Sequence, residues 1–478
     1  MLSRSDPEYR HAIDFLYGRL NYERSDTLSF EHDVDVKLDR MKRLLEPLGN
    51  PHLGIPTIHV AGTKGKGSTS HFLASMLTCA GYQTGCYTSP HLMSIEERFA
   101  INGAPCTPAD FVKLVNDLKP VVYKLDAQRP AGGGPTFFEI TTAMAMLYFR
   151  QQRTDVMVLE VGLGGRLDST NVCKPDVCVI TSISFDHMRQ LGNTLASIAQ
   201  EKAGIIKPRV PIVTGVRSVE PLTVIERIAA TRQADLFCLG RDFDFDYEPV
   251  GSATIDADAE RPHTQTESKP PALGPSFDFY YLADGRRTLG AKHIPLSALG
   301  HHQGANASLA WFVCDLLQQQ GYRINEAARH KGLASSSCPG RIEVIRQRPT
   351  VVVDTAHNDA SIEALVQVLQ ESFPSRPRTL ILAATQGKAV DAMLRRLLTE
   401  FDIVICTEFL NNPRAMPATE LFRRAQRLSM TSDHPVRLRS ACSPEAAWHD
   451  ACQDADVELI CATGSFFLAA EIKAVLEQ

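Results

Sequence analysis

The chain has 478 residues, 44% hydrophobic and 22% charged, with a formal net charge of -5. That length exceeds one ordinary core, so two domains or one large α/β domain are expected, and the mild acidity argues against nucleic acid as a partner. No apolar run has the length of a membrane span, the N-terminal stretch lacks the apolar core of a signal peptide, and twelve scattered cysteines, with Cys178, Cys314, Cys406 and Cys461 in apolar runs, read as buried thiols of a reducing cytoplasm.

Helical patterns are expected at 8–20 and 34–48. The stretch TIHVAGTKGKGSTSHFLASMLTCAG (57–81) then changes character twice. Ile58 and Val60 alternate in a β-prone run, a glycine-rich turn follows, and Phe72, Leu73, Met76, Leu77 and Ala80 recur at helical spacing before Gly81. Strand, glycine loop and helix together cradle phosphate: backbone N–H groups approach the anion, the helix N-terminus favours negative charge, and a lysine neutralises the outer oxygens. Gly62, Thr63, Lys64, Gly65, Lys66, Gly67 and Ser68 are therefore candidate nucleotide-binding residues. The match to G-x-x-x-x-G-K-[ST] is imperfect, because Gly67 stands where the hydroxyl residue belongs and Ser68 follows it.

A second αβ unit ends in CYTSPHL (86–92), and a helix is expected at 108–126. The loop RPAGGGP opens the apolar helix TFFEITTAMAMLYFR. VMVLEVGLGG (156–165) and VCVITSIS (177–184) are near-continuous apolar strands, as in a parallel sheet covered on both faces. EKAGIIKP and VPIVTG supply a further helix end and strand. Residues 242–278, rich in Asp, Pro, Ser and Thr, read as a poorly ordered insertion or an exposed hairpin. IPLSALGHHQG, near 294–304, is a candidate linker. The rhythm then restarts with the helix NASLAWFVCDLLQQQG and the strands TVVVDTAHN (350–358), TLILAATQGK, DIVICTEF and VELICATGS. The expectation is a doubly wound α/β domain over 1–297 and a smaller Rossmann-like α/β domain over 302–478, with nucleotide at their interface.

Polar residues at the ends of apolar strands carry the chemical information. Glu160 closes VMVL opposite the phosphate loop and suits a Mg²⁺ bridging nucleotide phosphates, since Mg²⁺ takes a few hard oxygens and keeps water. The competing reading is a strand-end charge that is solvated or paired with Arg166. Ser89 is a helix cap or a metal ligand, and His187 taken alone reads as structural. Arg341, Asp354, His357 and Asn358 could receive ribose or phosphate, Arg through its bidentate fork.

Together GTKGKGS, YTSPHL, PTFFEITTAMA, EVGLGGRLDSTN, SFDHMRQLGNTLASIAQEKAGIIKP, HHQGANASLA, PGRIEV and DTAHN resemble the signatures of the folylpolyglutamate synthase/dihydrofolate synthase family, ATP-dependent amide ligases related to the Mur ligases. The motifs run in family order from about 45 to 390. The resemblance implies that Lys66 and the loop glycines hold ATP phosphates, that Ser89 and Glu160 bind one Mg²⁺ and His187 a second, and that Lys202 is carbamylated. It places Phe137, Phe138 and Asp168 against the pterin-bearing substrate, and Asn306, Arg341, Asp354 and His357 of the C-terminal domain around the nucleotide. Lys66, His187 and Lys202 are the implied catalytic residues. A monovalent cation also belongs to the implied set, and a monomer is expected. Lys64 departs from the family's usual Asn, and Gln303 is a weaker match than Asn306. The implied substrates are dihydropteroate, tetrahydrofolate polyglutamates and L-glutamate. A bifunctional ligase is the leading expectation. The alternatives are a folate-tail ligase alone, a P-loop ATPase, a non-catalytic nucleotide-binding protein or a Mur-type peptide ligase.

Overall fold

Eight strands alternate with helices in the first part of the chain: β1 (Thr57–Ala61), β2 (Thr84–Tyr87), β3 (Phe99–Ile101), β4 (Ala104–Pro105), β5 (Val156–Glu160), β6 (Val177–Ile180), β7 (Ile212–Thr214) and β8 (Leu236–Cys238). They form one sheet in the order β4-β3-β2-β5-β1-β6-β7-β8. From β2 to β8 neighbours run parallel, and β3 and β4 add an antiparallel edge. The computed structural model describes residues 3–21, 36–128, 133–250, 274–387, 389–410, 412–431, 434–454 and 456–477.

Every residue of β1 and β5 is buried, which explains their lack of polar–apolar alternation. Met157 and Leu159 face a core built with Leu16, Leu44, Phe111, Phe137 and Phe149. Ala61, Cys178, Ile180 and Ile212 face another, completed by Ile205 and Ile225. The helix Phe137–Gln151 starts at a capping box in which Thr136 and Glu139 satisfy each other's backbone N–H. Arg40 closes on the same Glu139 carboxylate at 2.8 Å, joining the helix Val36–Leu45 to this start.

Strands β9 (Phe243–Glu248), β10 (Ser276–Ala283) and β11 (Arg286–Pro295) form a three-stranded sheet in the order β11-β10-β9. Most of the expected insertion 242–278 lies outside the described residues, but its flanks are these strands rather than irregular chain. The apolar residues Phe243, Phe245, Phe277 and Phe279, fully or almost fully buried, hold them in place.

The last sheet contains β12 (Glu343–Gln347), β13 (Thr350–Val353), β14 (Arg378–Leu382), β15 (Ile403–Cys406), β16 (Arg437–Ser440) and β17 (Leu459–Thr463), in the order β12-β13-β17-β14-β15-β16. Only β12 is antiparallel, against β13. The chain is thus a large domain built on a parallel-rich sheet with a separate C-terminal α/β domain. Compact unit 1 comprises Met1–Phe245, Asp278–Ile294 and Ala305–Ser336, and unit 2 comprises Asp246–Phe277, Pro295–Gly304 and Ser337–Gln478. This division differs from a boundary at 297–302, because 305–336 groups with unit 1. The helix Glu326–Ser335 packs there on Lys66–Cys79, and Ser75 Oγ donates to Gly332 O at 2.8 Å. Among the described residues no helix is long and apolar enough to cross a membrane. The Cys178, Cys314, Cys406 and Cys461 thiols are free and buried.

Candidate active site

Parallel register carries the ends of β2, β5, β1 and β6 to one edge of the first sheet. Tyr87 pairs with Leu159, Val60 with Glu160, and Ala61 with Ile180, so Ser89, Glu160, the Gly62–Ser68 loop and Thr181–Ser182 converge there. Gly65 has φ +85° and precedes Lys66, the first residue of the helix Lys66–Cys79. A Cβ at Gly65 would come within 2.2 Å of Asn306 Oδ1, so only glycine admits both this turn and Asn306. Asn306 is buried in unit 1 beside the phosphate loop, not in the C-terminal domain. The exit of β6 pins the loop: Ser182 Oγ accepts from Lys64 N at 2.9 Å, Thr181 Oγ1 donates to Lys64 O at 2.6 Å, and Thr63 N donates to Ser182 O at 2.8 Å. Lys64 Nζ lies 3.2 Å from Asp186 Oδ2.

Glu160 is buried, and its Oε2 accepts from Ser89 N at 3.0 Å. A Cβ on Gly67 would lie 3.6 Å from that carboxylate, so it stands at the N-terminal turn of the phosphate-loop helix. Arg166 pairs instead with Glu201 at 2.8 Å, so the competing reading of Glu160 paired with Arg166 is wrong. His187, with φ +50°, precedes the short helix Met188–Leu191, and its side chain is 56% exposed. Its Nε2 lies 3.9 Å from Asp186 Oδ1. Lys202 is buried at the end of the helix Leu195–Lys202 and donates from Nζ to Gly62 O at 2.8 Å. Burial pushes its ammonium down to about 7; Lys66 adds to that effect and Asp186 opposes it. Among the described residues no three His, Cys, Asp or Glu side chains gather as a metal cluster.

The three residues expected at the pterin have different surroundings. Phe137 is fully buried, stacked on Tyr17 at 5.5 Å with the Arg98 guanidinium 5.2 Å from its ring centroid. It belongs to the core, whereas Phe138 is half-buried and packs at the edge of that core. A Cβ at Gly162 would fall 2.3 Å from Phe138 Cζ, so the Phe138 ring lies directly on the backbone of the GLGG turn. Asp168 is buried and caps the turn Ser169–Val172. It accepts from Gly162 N, Leu163 N and Thr170 N at 3.1, 3.0 and 3.0 Å, and from Thr170 Oγ1 at 2.5 Å. Burial raises its pKa while these donors hold it down.

Within unit 2 a second set gathers at the ends of β13 and β17. Asp354 is buried and accepts from Ala356 N at 2.8 Å and Ile342 N at 3.0 Å; burial raises its pKa, opposed by those donors and by Arg341. Arg341 donates to Thr355 Oγ1 at 2.7 Å and lies 5.0 Å from the Phe466 ring centroid. His357 shares Phe466 at 5.9 Å and bonds from Nδ1 to Thr355 O at 3.0 Å, which makes Nδ1 the donor. Phe466, Thr181, Ser182 and His59 were not singled out from sequence. For Phe466 a signal existed in the polar exit CATGS ahead of it, and for His59 in a histidine inside an apolar strand.

A glycine loop that opens a helix, a buried carboxylate beside it and a parallel sheet followed by a smaller α/β domain are found here in an ATP-dependent ligase of the Mur type. Residues 60–216 match the family model of the Mur ligase middle domain, and 342–477 that of the dihydrofolate synthetase C-terminal domain. The dihydrofolate synthase/folylpolyglutamate synthase of Bacillus subtilis is 37% identical over 416 residues, 87% of this chain and 88% of that protein. Mycobacterium tuberculosis folylpolyglutamate synthase complexed with ADP superposes with TM-score 0.82 at 30% identity, covering 98% of each chain. E. coli FolC in complex with DHPP and ADP gives TM-score 0.74 at 27% identity over 100% of this chain and 99% of the other. The chain belongs to the dihydrofolate synthase/folylpolyglutamate synthase family, ATP-dependent ligases that join glutamate to an acid.

Proposed function

We propose that the protein ligates L-glutamate both to dihydropteroate and to the glutamate tail of tetrahydrofolate polyglutamates, with ATP as the activating substrate. A carboxylate does not condense with an amine in water unaided. The acceptor's carboxylate takes the γ-phosphoryl group of ATP and ADP is released; the neutral amino group of glutamate attacks the acyl carbon, and phosphate leaves as the amide forms and a proton is lost. The observation that carries this reading is the placement of Glu160 against Gly67 and Ser89, at the start of the helix that Lys66 opens.

Lys66 and the loop N–H groups draw negative charge off the transferring phosphoryl group, which needs positioning and charge stabilisation more than covalent help. The donor set fits Mg²⁺: a buried carboxylate at the start of the loop's helix, beside Ser89, offers the hard oxygens that this ion takes alongside water. Glu160 and Ser89 would hold it, with His187 at a second site, and the ion would neutralise phosphate charge. Lys202 fits carbamylation, because an ammonium pushed down to about 7 leaves much of the amine neutral and able to add CO₂. A monovalent cation would be an additional resident. Phe138 and the Gly162 turn would receive the pterin, and Arg341 and His357 the nucleotide.

Separate incubations with dihydropteroate and with tetrahydrofolate, each with glutamate and ATP, test the proposal. Amide formation from both acids is expected. A product from tetrahydrofolate alone would favour the tail ligase reading, and none from either would end the proposal.

A further inference from the structure

His59 stands in the middle of β1, fully buried between β5 and β6. Its Nε2 lies 2.8 Å from Thr170 Oγ1, which lies 2.5 Å from Asp168 Oδ1. The hydroxyl has one proton to give. Asp168 also receives the N–H groups of Thr170, Gly162 and Leu163, a donor set that favours an ionised carboxylate, so the Thr170 proton points at Asp168. The Thr170 oxygen then accepts from His59 Nε2–H, which fixes the tautomer. Consistent with that assignment, Nδ1 is buried with no hydrogen-bond partner, as a bare lone pair would be. Burial, with Lys207 adding to it, keeps the ring neutral.

An unmet acceptor within a central strand is destabilising. Valine would suit a position buried on this parallel strand and remove the orphan nitrogen. The single bond to Thr170 is what histidine adds here. That bond leads outward through Asp168 to the Gly162–Leu163 backbone, on which the Phe138 ring lies.

We infer that His59 is a positioning residue for the acceptor acid: through Thr170 and Asp168 it fixes the Gly162–Leu163 backbone under Phe138 and so sets how tightly the pterin binds. The inference rests on the proposed placement of the pterin at Phe138.

The test is steady-state kinetics of His59→Phe, His59→Gln and Thr170→Val, with dihydropteroate varied at saturating ATP and glutamate, then ATP varied at saturating acceptor. His59→Phe and Thr170→Val raise the KM for the acceptor about tenfold, as expected for one lost bond, and leave the KM for ATP within about twofold. His59→Gln, whose amide can donate to Thr170, brings the acceptor KM back to within about threefold of wild type. An unchanged acceptor KM in Thr170→Val, an equal rise in both constants, or a Gln variant as impaired as Phe overturns the inference. If His59→Phe does not fold, Thr170→Val and His59→Gln decide by the same criteria. Wild-type protein that forms no amide from any pterin acid refutes the proposed function, whereas active wild type with unaffected variants refutes this inference alone.

Discussion

Lys202 Nζ and Gly62 O are 2.8 Å apart, so the lysine at the end of one helix is tied to the first glycine of the phosphate loop. Two basic neighbours, Lys66 and Lys64, disfavour its charged form, while Asp186 and Asp168 favour it. Its folded pKa of about 7 lies below the ordinary 10.5. Between these values the unfolded chain holds a proton that the folded chain lacks, so this group makes stability rise with pH across that window. Below about 7 both states are protonated and the burial penalty is full. Thermal melting from pH 6 to pH 10 shows a flatter profile for Lys202→Met than for wild type; identical slopes would place the ammonium in an ordinary environment.

The same neutral amine is the reactive form toward CO₂. Protein equilibrated with ¹³C-bicarbonate at about pH 8 shows a carbamate carbon by NMR that Lys202→Met lacks. A signal that persists in the variant would assign the carbamate to another amine.

Glu160→Gln retains a carbonyl that can accept from Ser89 N but removes the charge that faces the phosphate loop. Turnover falls about a hundredfold or more, while the melting temperature stays within a few degrees of wild type. Near-normal turnover in saturating Mg²⁺ would remove Glu160 from metal binding.

Lys64 and Lys66 are separated by one residue and have different tasks. Lys64 is engaged by Asp186, a pair with a partly exposed lysine that contributes at most about 1 kcal/mol. Lys64→Asn therefore changes the KM for ATP by less than about threefold. Lys66→Ala, at the helix start, lowers kcat/KM by about a hundredfold or more. Equal losses in the two variants would place both ammonium groups on the phosphates.

His59 titrates ordinarily at 6.5, but burial pushes it down to about 3 in the folded chain. Between those values only the unfolded chain binds the proton, so acidification below 6.5 lowers stability, by up to about 1.4 kcal/mol per pH unit. His59→Gln removes that contribution. Denaturant unfolding from pH 7 to pH 4.5 shows a shallower acid decline in the variant, and parallel declines would mean that His59 is accessible to protons.

Much of the site is legible in sequence because it lies where apolar strands end. Val60–Ser68, Glu160 and Asp354 each mark such an exit, and parallel register brings the exits of one sheet to one edge. Partnership between distant segments is not encoded so locally. Asn306 follows a linker-like stretch, yet the packing of Glu326–Ser335 on the loop's own helix assigns it to unit 1. Phe137 and Phe138 are indistinguishable by type; the helix turns one into the core against Tyr17 and the other onto Gly162. The resemblance sets Asp168 against the pterin-bearing substrate, and nothing in LDSTN announces that its carboxylate accepts from the backbone of its own turn. The antiparallel strands β3 and β4 have three and two residues, and β12 is exposed or half-buried throughout, so none offers an apolar run long enough to read.

The central claim is that ATP activates the acceptor acid as an acyl phosphate. The most direct measurement uses dihydropteroate labelled with ¹⁸O in its carboxylate, turned over with ATP and glutamate, followed by mass analysis of the phosphate released. Transfer of one labelled oxygen to phosphate for each amide formed is the expected result. Amide formation with unlabelled phosphate, or phosphate release that proceeds equally without the acid, would contradict it.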